Sequence, residues 1–162
     1  MKDLNKMFKP DSVAVIGASN TPGKVGYIII DNIISGGYKG KVYPINPKSG
    51  EIQGLKAYEN IKDVPEKVDL VIMSIPAAFV NESIKDCGEA GVENMVVISA
   101  GFKEIGEEGA KLEEELVALS KEYGINIIGP NSLGITDCIY FPKWSYDGST
   151  SWLESYFRNR IQ

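Results

Sequence analysis

The segment Gly17-Ala18-Ser19-Asn20-Thr21-Pro22-Gly23-Lys24-Val25-Gly26 follows a short β-branched run and opens a helical pattern. Thr21 is a good helix N-cap, and Pro22 suits the first helical position. Backbone N–H groups at such a start attract a phosphate, and Lys24 adds positive charge. The segment is therefore expected to hold a phosphate-bearing ligand. A glycine turn that only lets strand and helix pack closely would use the same residues. The spacing is not the dinucleotide G-x-G-x-x-G. Nor is it a Walker loop: Gly17 and Gly23 stand one residue too far apart, and Val25 takes the place of the Mg²⁺-binding hydroxyl.

A second discriminating position follows the next apolar run. Nicotinamide-dinucleotide domains place Asp or Glu there to hydrogen-bond the ribose hydroxyls. This chain has Asn46-Pro47-Lys48. A carboxylate repels a phosphorylated ribose, whereas a lysine pairs with it. Lys48 thus favours a nucleotide carrying an extra ribose phosphate, as NADP and coenzyme A both do. The alternative is a solvated surface lysine.

Three further segments end apolar runs in the same way. In Ser74-Ile75-Pro76-Ala77-Ala78-Phe79 the small residues leave room for an extended ligand, or Pro76 simply stops a strand and starts a helix. Ile98-Ser99-Ala100-Gly101-Phe102 offers Ser99 as a hydrogen-bond partner. In Gly129-Pro130-Asn131-Ser132-Leu133-Gly134, Asn131 and the glycine-rich backbone face an oxyanion or phosphate, or form a rigid turn.

No catalytic residue and no metal-ligand set is expected. The chain has no histidine, which excludes a Ser-His-Asp or Cys-His nucleophile, a histidine-zinc site and a phosphohistidine of its own. Glu113, Glu114 and Glu115 are consecutive and read as a solvated helix face. Cys87 falls at a helical core position and reads as an inert buried thiol.

The elements that must position these loops alternate strand and helix. Ser12–Gly17, Lys41–Asn46, Val68–Met73, Asn94–Ser99 and Ile125–Ile128 read as five strands, with Pro44 a weak point in the second. Val25, Ile28, Ile29 and Ile33 step along one helix that Gly36-Gly37 stops. Val80, Ile84 and Cys87 line a second helix, and Leu112, Leu116, Leu119 and Tyr123 a third, with Glu107 and Glu108 at its positive end. Strands apolar throughout are buried on both faces, as a parallel sheet between helix layers requires. The expected fold is α/β, a Rossmann-like doubly wound sheet of about five parallel strands. In such sheets ligands lie outside the carboxyl ends of the strands, at loops 17–24, 46–50, 74–79, 99–104 and 129–134.

Two regions are expected: residues 1–136, and an atypical aromatic-rich tail at 137–162. The tail holds both arginines (Arg158, Arg160), both tryptophans (Trp144, Trp152) and seven of the fifteen aromatic residues. It reads either as a docking segment for a partner or as the product of truncation. At 162 residues, 43% hydrophobic and 24% charged, the chain is sized for one soluble globular domain. No apolar run approaches the ~20 residues of a membrane span, and the first residues lack a signal-peptide core. Two cysteines form no disulfide framework, so a cytoplasmic location is expected. A net charge of −5 argues against nucleic acid as a partner.

Residues 8–136 resemble the N-terminal CoA-binding domain of the ADP-forming acyl-CoA synthetases, a domain that also begins the succinyl-CoA synthetase alpha subunit. The matching motifs are Ser12-Val13-Ala14-Val15-Ile16-Gly17-Ala18-Ser19, Pro22-Gly23-Lys24-Val25-Gly26, Tyr43-Pro44-Ile45-Asn46-Pro47-Lys48, Val68-Asp69-Leu70, Ile75-Pro76-Ala77, Ser99-Ala100-Gly101-Phe102 and Gly129-Pro130-Asn131. The resemblance implies that Ser19 to Pro22 hold CoA phosphates and that Lys48 meets the phosphorylated adenosine end. It also implies that Pro76 and Ile98-Ser99-Ala100 line the path of nucleotide and pantetheine. Ser132 replaces a cysteine usual in the family, and the family pattern stops after Thr136, before the domain that carries the phosphorylated histidine. The implied ligand is coenzyme A or acyl-CoA, and a partner chain would supply the remaining synthetase domains. The chain alone is expected to bind without turnover. The competing reading is an NADP-binding domain of an oxidoreductase or redox sensor.

Overall fold

The computed structural model describes residues 4–48 and 50–132. A one-turn helix α1 (Asn5–Phe8) precedes β1 (Ser12–Ile16), α2 (Val25–Ser35) and β2 (Lys41–Ile45). A hairpin of β3 (Glu51–Ile52) and β4 (Leu55–Lys56) follows, then β5 (Leu70–Met73), α3 (Ala77–Glu89), β6 (Asn94–Val97), α4 (Glu107–Tyr123) and β7 (Asn126–Ile128). Single 3₁₀ turns occupy Ile61–Asp63 and Lys103–Ile105. Among the described residues, no helix is long and apolar enough to cross a membrane.

Five strands pair in parallel in the order β2-β1-β5-β6-β7, giving the expected doubly wound sheet. Successive side chains of a strand point to opposite faces, and here both faces are covered. Val13, Val15, Leu70 and Val96 pack with Ile29 and Ile30 of α2 and with Met7 of α1. Ala14, Ile16, Val71, Met73, Met95 and Val97 pack on the other side with Val80, Ile84 and Cys87 of α3 and Leu116 and Leu119 of α4. That double burial is why these runs carry no polar alternation.

Pro44 sits in β2, an edge strand, where a missing ladder donor is tolerated. Tyr58 covers part of that edge: its N–H donates to the Pro44 carbonyl at 3.0 Å, and its own carbonyl accepts from the Asn46 N–H at 2.9 Å. The strands end a residue or two inside the expected limits, leaving Gly17, Asn46, Val68, Asp69, Ile98, Ser99 and Ile125 outside them.

One connection differs from the expected alternation. From β2 the chain passes to β5 through the β3–β4 hairpin and a 3₁₀ turn, with no α-helix between. It steps outward from β1 to β2, then continues from β5 on the other side of β1. The crevice outside the carboxyl ends of β1 and β5 is therefore the switch point of the sheet, where open α/β folds bind ligands.

Candidate functional site

The five loops of interest emerge at this carboxyl edge, and backbone hydrogen bonds stitch them together. The Gly17 N–H donates to the Ile45 carbonyl (3.1 Å), Ser74 to Ile16 (2.9 Å), Ile98 to Met73 (2.9 Å) and Asn131 to Ser99 (2.8 Å). Each loop thus begins locked to the end of its neighbour.

Gly17 marks the switch point itself. Its φ is +90°, and a Cβ there would lie 2.6 Å from the Ser74 carbonyl oxygen. Only glycine allows this approach of loop to strand. Gly26 does the same for α2, since a Cβ on it would lie 1.9 Å from the Gly17 carbonyl oxygen.

The expected helix start at Thr21-Pro22 is corrected. The N-cap of α2 is Lys24, and the helix begins at Val25. Thr21-Pro22-Gly23-Lys24 instead forms a turn in which the Lys24 N–H donates to the Thr21 carbonyl at 3.3 Å. Gly23 has φ +83°, the value required at the third position of a type II turn with proline before it. A helix cannot run through that conformation. The Ser19 hydroxyl oxygen accepts the Thr21 N–H at 3.0 Å, tightening the loop one step earlier. Loop and helix start remain in series after the carboxyl end of β1.

Two asparagines organise this loop. The Asn46 amide donates to the Ala18 carbonyl at 2.8 Å, while its oxygen accepts the Lys48 N–H at 2.8 Å. Ala18 is fully buried beneath. Asn20 bonds the hairpin: it donates to the Glu51 carbonyl (2.8 Å) and accepts the Gln53 N–H (2.9 Å). Its side chain is thus anchored to the hairpin through one donor and one acceptor. Lys24 and Lys48 are exposed and hold no ion pair among the described residues. Lys6, Lys41, Lys62 and Lys67, by contrast, are each neutralised by a carboxylate.

Pro76 is exposed and is the N-cap of α3, so it does stop one element and start the next. Ile98 is half-buried and Ala100 exposed. Ser99 is buried, and among the described residues its hydroxyl has no hydrogen-bond partner, an uncommon state for a buried donor. Asn131 is exposed at φ +53°, a left-handed conformation that asparagine tolerates. Beside Gly101, Glu104 accepts that residue's N–H at 2.6 Å, and the bond holds its carboxyl below the usual carboxylate range. Cys87 is fully buried in the core, and burial pushes its thiol up to about 12. Glu113 pairs with Lys103 and Glu115 with Lys85, while Glu114 faces solvent. Leu133, Gly134 and the tail at 137–162 lie outside the described residues.

Neither a role for Asn46 or Gln53 nor the β3–β4 hairpin is among the expectations from sequence. Its signal was Gln53-Gly54 between two short runs, a two-residue turn with glycine second. The residues present suit a phosphate-bearing ligand. Gly17 keeps the cradle free of side chain, and among the described residues Lys24 and Lys48 hold no ion pair and the buried Ser99 hydroxyl lacks a partner.

A parallel doubly wound sheet with these loops at its switch point defines a nucleotide-binding α/β domain. Residues 11–137 match the CoA binding domain family, and the chain belongs to it. It is 46% identical over 143 residues to the alpha subunit of ADP-forming acetate–CoA ligase I of Pyrococcus furiosus, covering 86% of this chain and 30% of that subunit. The corresponding subunit of ligase II from the same organism is 49% identical over 133 residues, covering 82% and 29%. Among solved structures, the dinucleotide-forming acetyl-coenzyme A synthetase 1 of Ca. Korarchaeum cryptofilum, in complex with phosphate and ADP, superposes with a TM-score of 0.77. It is 50% identical, and the match covers 81% of this chain and 28% of that one. The chain thus spans less than a third of the length of these relatives.

Proposed function

We propose that residues 1–136 bind coenzyme A across the carboxyl edge of the sheet, as the CoA-binding unit of an ADP-forming acyl-CoA synthetase. The phosphates lie against residues 17–24, and Lys48 pairs with the phosphorylated ribose. Pro76, Ile98-Ser99-Ala100 and Asn131 border the rest of the ligand, where the unpartnered Ser99 hydroxyl gains an acceptor. The observation that carries this reading is the tie between Asn46 and Ala18, which holds the Lys48 loop against the phosphate loop. Two cationic loops fixed side by side suit a ligand with phosphates at two places.

The reaction of the complete assembly is acyl-CoA with ADP and phosphate to acid, ATP and CoA. This chain contributes the grip on CoA. A partner chain supplies the remaining synthetase domains, including the phosphoryl-carrying histidine that these 162 residues lack. Such an intermediate splits one difficult transfer into two easier ones.

Titration calorimetry with CoA, dephospho-CoA and NADP tests the reading. CoA is expected to bind most tightly. Lys48→Ala should weaken it by about 1–3 kcal/mol, the range of a charge-assisted hydrogen bond, and should erase its advantage over dephospho-CoA. Equal affinity for CoA and dephospho-CoA in the unmodified protein would remove Lys48 from the site. Tighter binding of NADP than of CoA would favour the oxidoreductase reading.

A further inference from the structure

We infer that Gln53 is a positioning residue for the phosphate loop, acting through the β3–β4 hairpin. The inference rests on the CoA reading above for its ligand, and on the free protein for its geometry.

The hairpin has a fixed base. Ile52 is fully buried and packs in the same cluster as Val15, Ala18, Ile29 and Ile30, between the sheet and α2. Its turn is then presented to the loop. Gln53 and Gly54 have φ of 49° and 78°, both positive as a two-residue type I′ hairpin turn requires. Asparagine and glycine suit that turn, and glutamine does not, so turn geometry leaves the choice of residue 53 unexplained.

Its side-chain hydrogen bond supplies the explanation, because the backbone N–H is present with any residue but proline. The Gln53 N–H donates to the Asn20 side-chain oxygen at 2.9 Å, and the Gln53 amide donates to the Tyr27 carbonyl at 3.0 Å. Asn20 is held from its other side by the Glu51 carbonyl at 2.8 Å. Asn20 lies within the phosphate loop, and Tyr27 lies in the first turn of α2. One residue therefore clamps both ends of the 20–27 segment, the part with the Pro22-Gly23 turn and Lys24. A loop already ordered before the ligand arrives loses less conformational freedom on binding, which raises affinity without any added contact. Gln53 fulfils that role without touching the phosphates.

The test uses Gln53→Asn in the full chain. Asn-Gly is a favoured type I′ pair, so the turn and the fold are retained, but the amide is one methylene too short for Tyr27. In the free protein, backbone amide exchange at residues 18–24 should accelerate, with the β1 and β5 amides unchanged. The CoA dissociation constant should rise about threefold to tenfold, the equivalent of one lost hydrogen bond, while the melting temperature holds or rises. Gln53→Met, of similar length but without a donor, should show the same exchange and affinity changes. Wild-type exchange at 18–24 in Gln53→Asn overturns the inference. So does faster exchange with unchanged CoA affinity, or a methionine variant that behaves as wild type. Failure of the unmodified protein to bind CoA would instead overturn the proposed function, and the exchange comparison would still decide whether Gln53 orders the loop.

Discussion

The side-chain amide of Asn46 donates to the carbonyl of Ala18 at 2.8 Å, across 28 residues of sequence. The loops ending β2 and β1 therefore move as one unit, and Lys48 is tied into it through its own N–H. Asn46→Ala should lower stability by about 1–2 kcal/mol, for one lost bond and one carbonyl left short of a partner. It should also weaken CoA binding although Lys48 is intact. Urea unfolding and calorimetry on the same variant measure the two effects. Unchanged CoA affinity would show that the lysine finds its place without this tie.

Gly17 and Gly23 should respond differently to the same change. At Gly17 a Cβ meets the Ser74 carbonyl oxygen at 2.6 Å with φ +90°, so Gly17→Ala should cost about 2–4 kcal/mol from overpacking and left-handed strain. At Gly23 nothing lies within 4 Å and only the positive φ opposes a side chain. Gly23→Ala should cost about 1 kcal/mol yet still weaken CoA binding if the backbone approaches the ligand phosphates. Denaturant midpoints and CoA titrations of the pair separate packing from recognition.

Acid should act through Glu104, whose carboxyl is held down chiefly by the Gly101 N–H. A carboxyl depressed in the folded state stabilises fully above its unfolded value of about 4.3, and that stabilisation is lost as pH falls through the folded value. Glu104→Gln should therefore melt below wild type near neutral pH, and the gap should close as pH falls below the unfolded carboxyl value. A gap that stays constant with pH would assign the effect to the neutral hydrogen bond alone.

Cys87 should be silent to thiol reagents. Its thiol is pushed up to about 12 by burial, with the nearby Asp86 charge adding to the shift. In a Cys138→Ser background, the folded protein should resist labelling at about pH 8, where the unfolded chain reacts readily because a free thiol ionises near 8.5. Because the folded value is raised, this group's contribution is intact below the unfolded value and declines as pH rises toward the folded one. Fast labelling of the folded protein would mean that α3 opens locally.

The parallel sheet was readable in the sequence because each strand is an apolar run buried on both faces, such as Ser12–Ile16 and Asn94–Val97. The helices were readable for the same local reason, with Val80, Ile84 and Cys87 stepping along a single buried face. So was the loop at residues 17–24, whose glycines follow the first strand directly. The start of α2 was not, because two local signals compete there. Thr21-Pro22 favours a helix start, while Pro22-Gly23 favours a type II turn, and the turn prevails where Gly26 must pack against the Gly17 carbonyl. The partners of Asn46, Asn20 and Gln53 were beyond reach for a different reason. An amide side chain has the same donor and acceptor wherever it stands, and nothing in its neighbours names the carbonyl it will meet. Only the strand order, which sets β2 beside β1 and folds the hairpin under α2, brings those carbonyls within 3.0 Å.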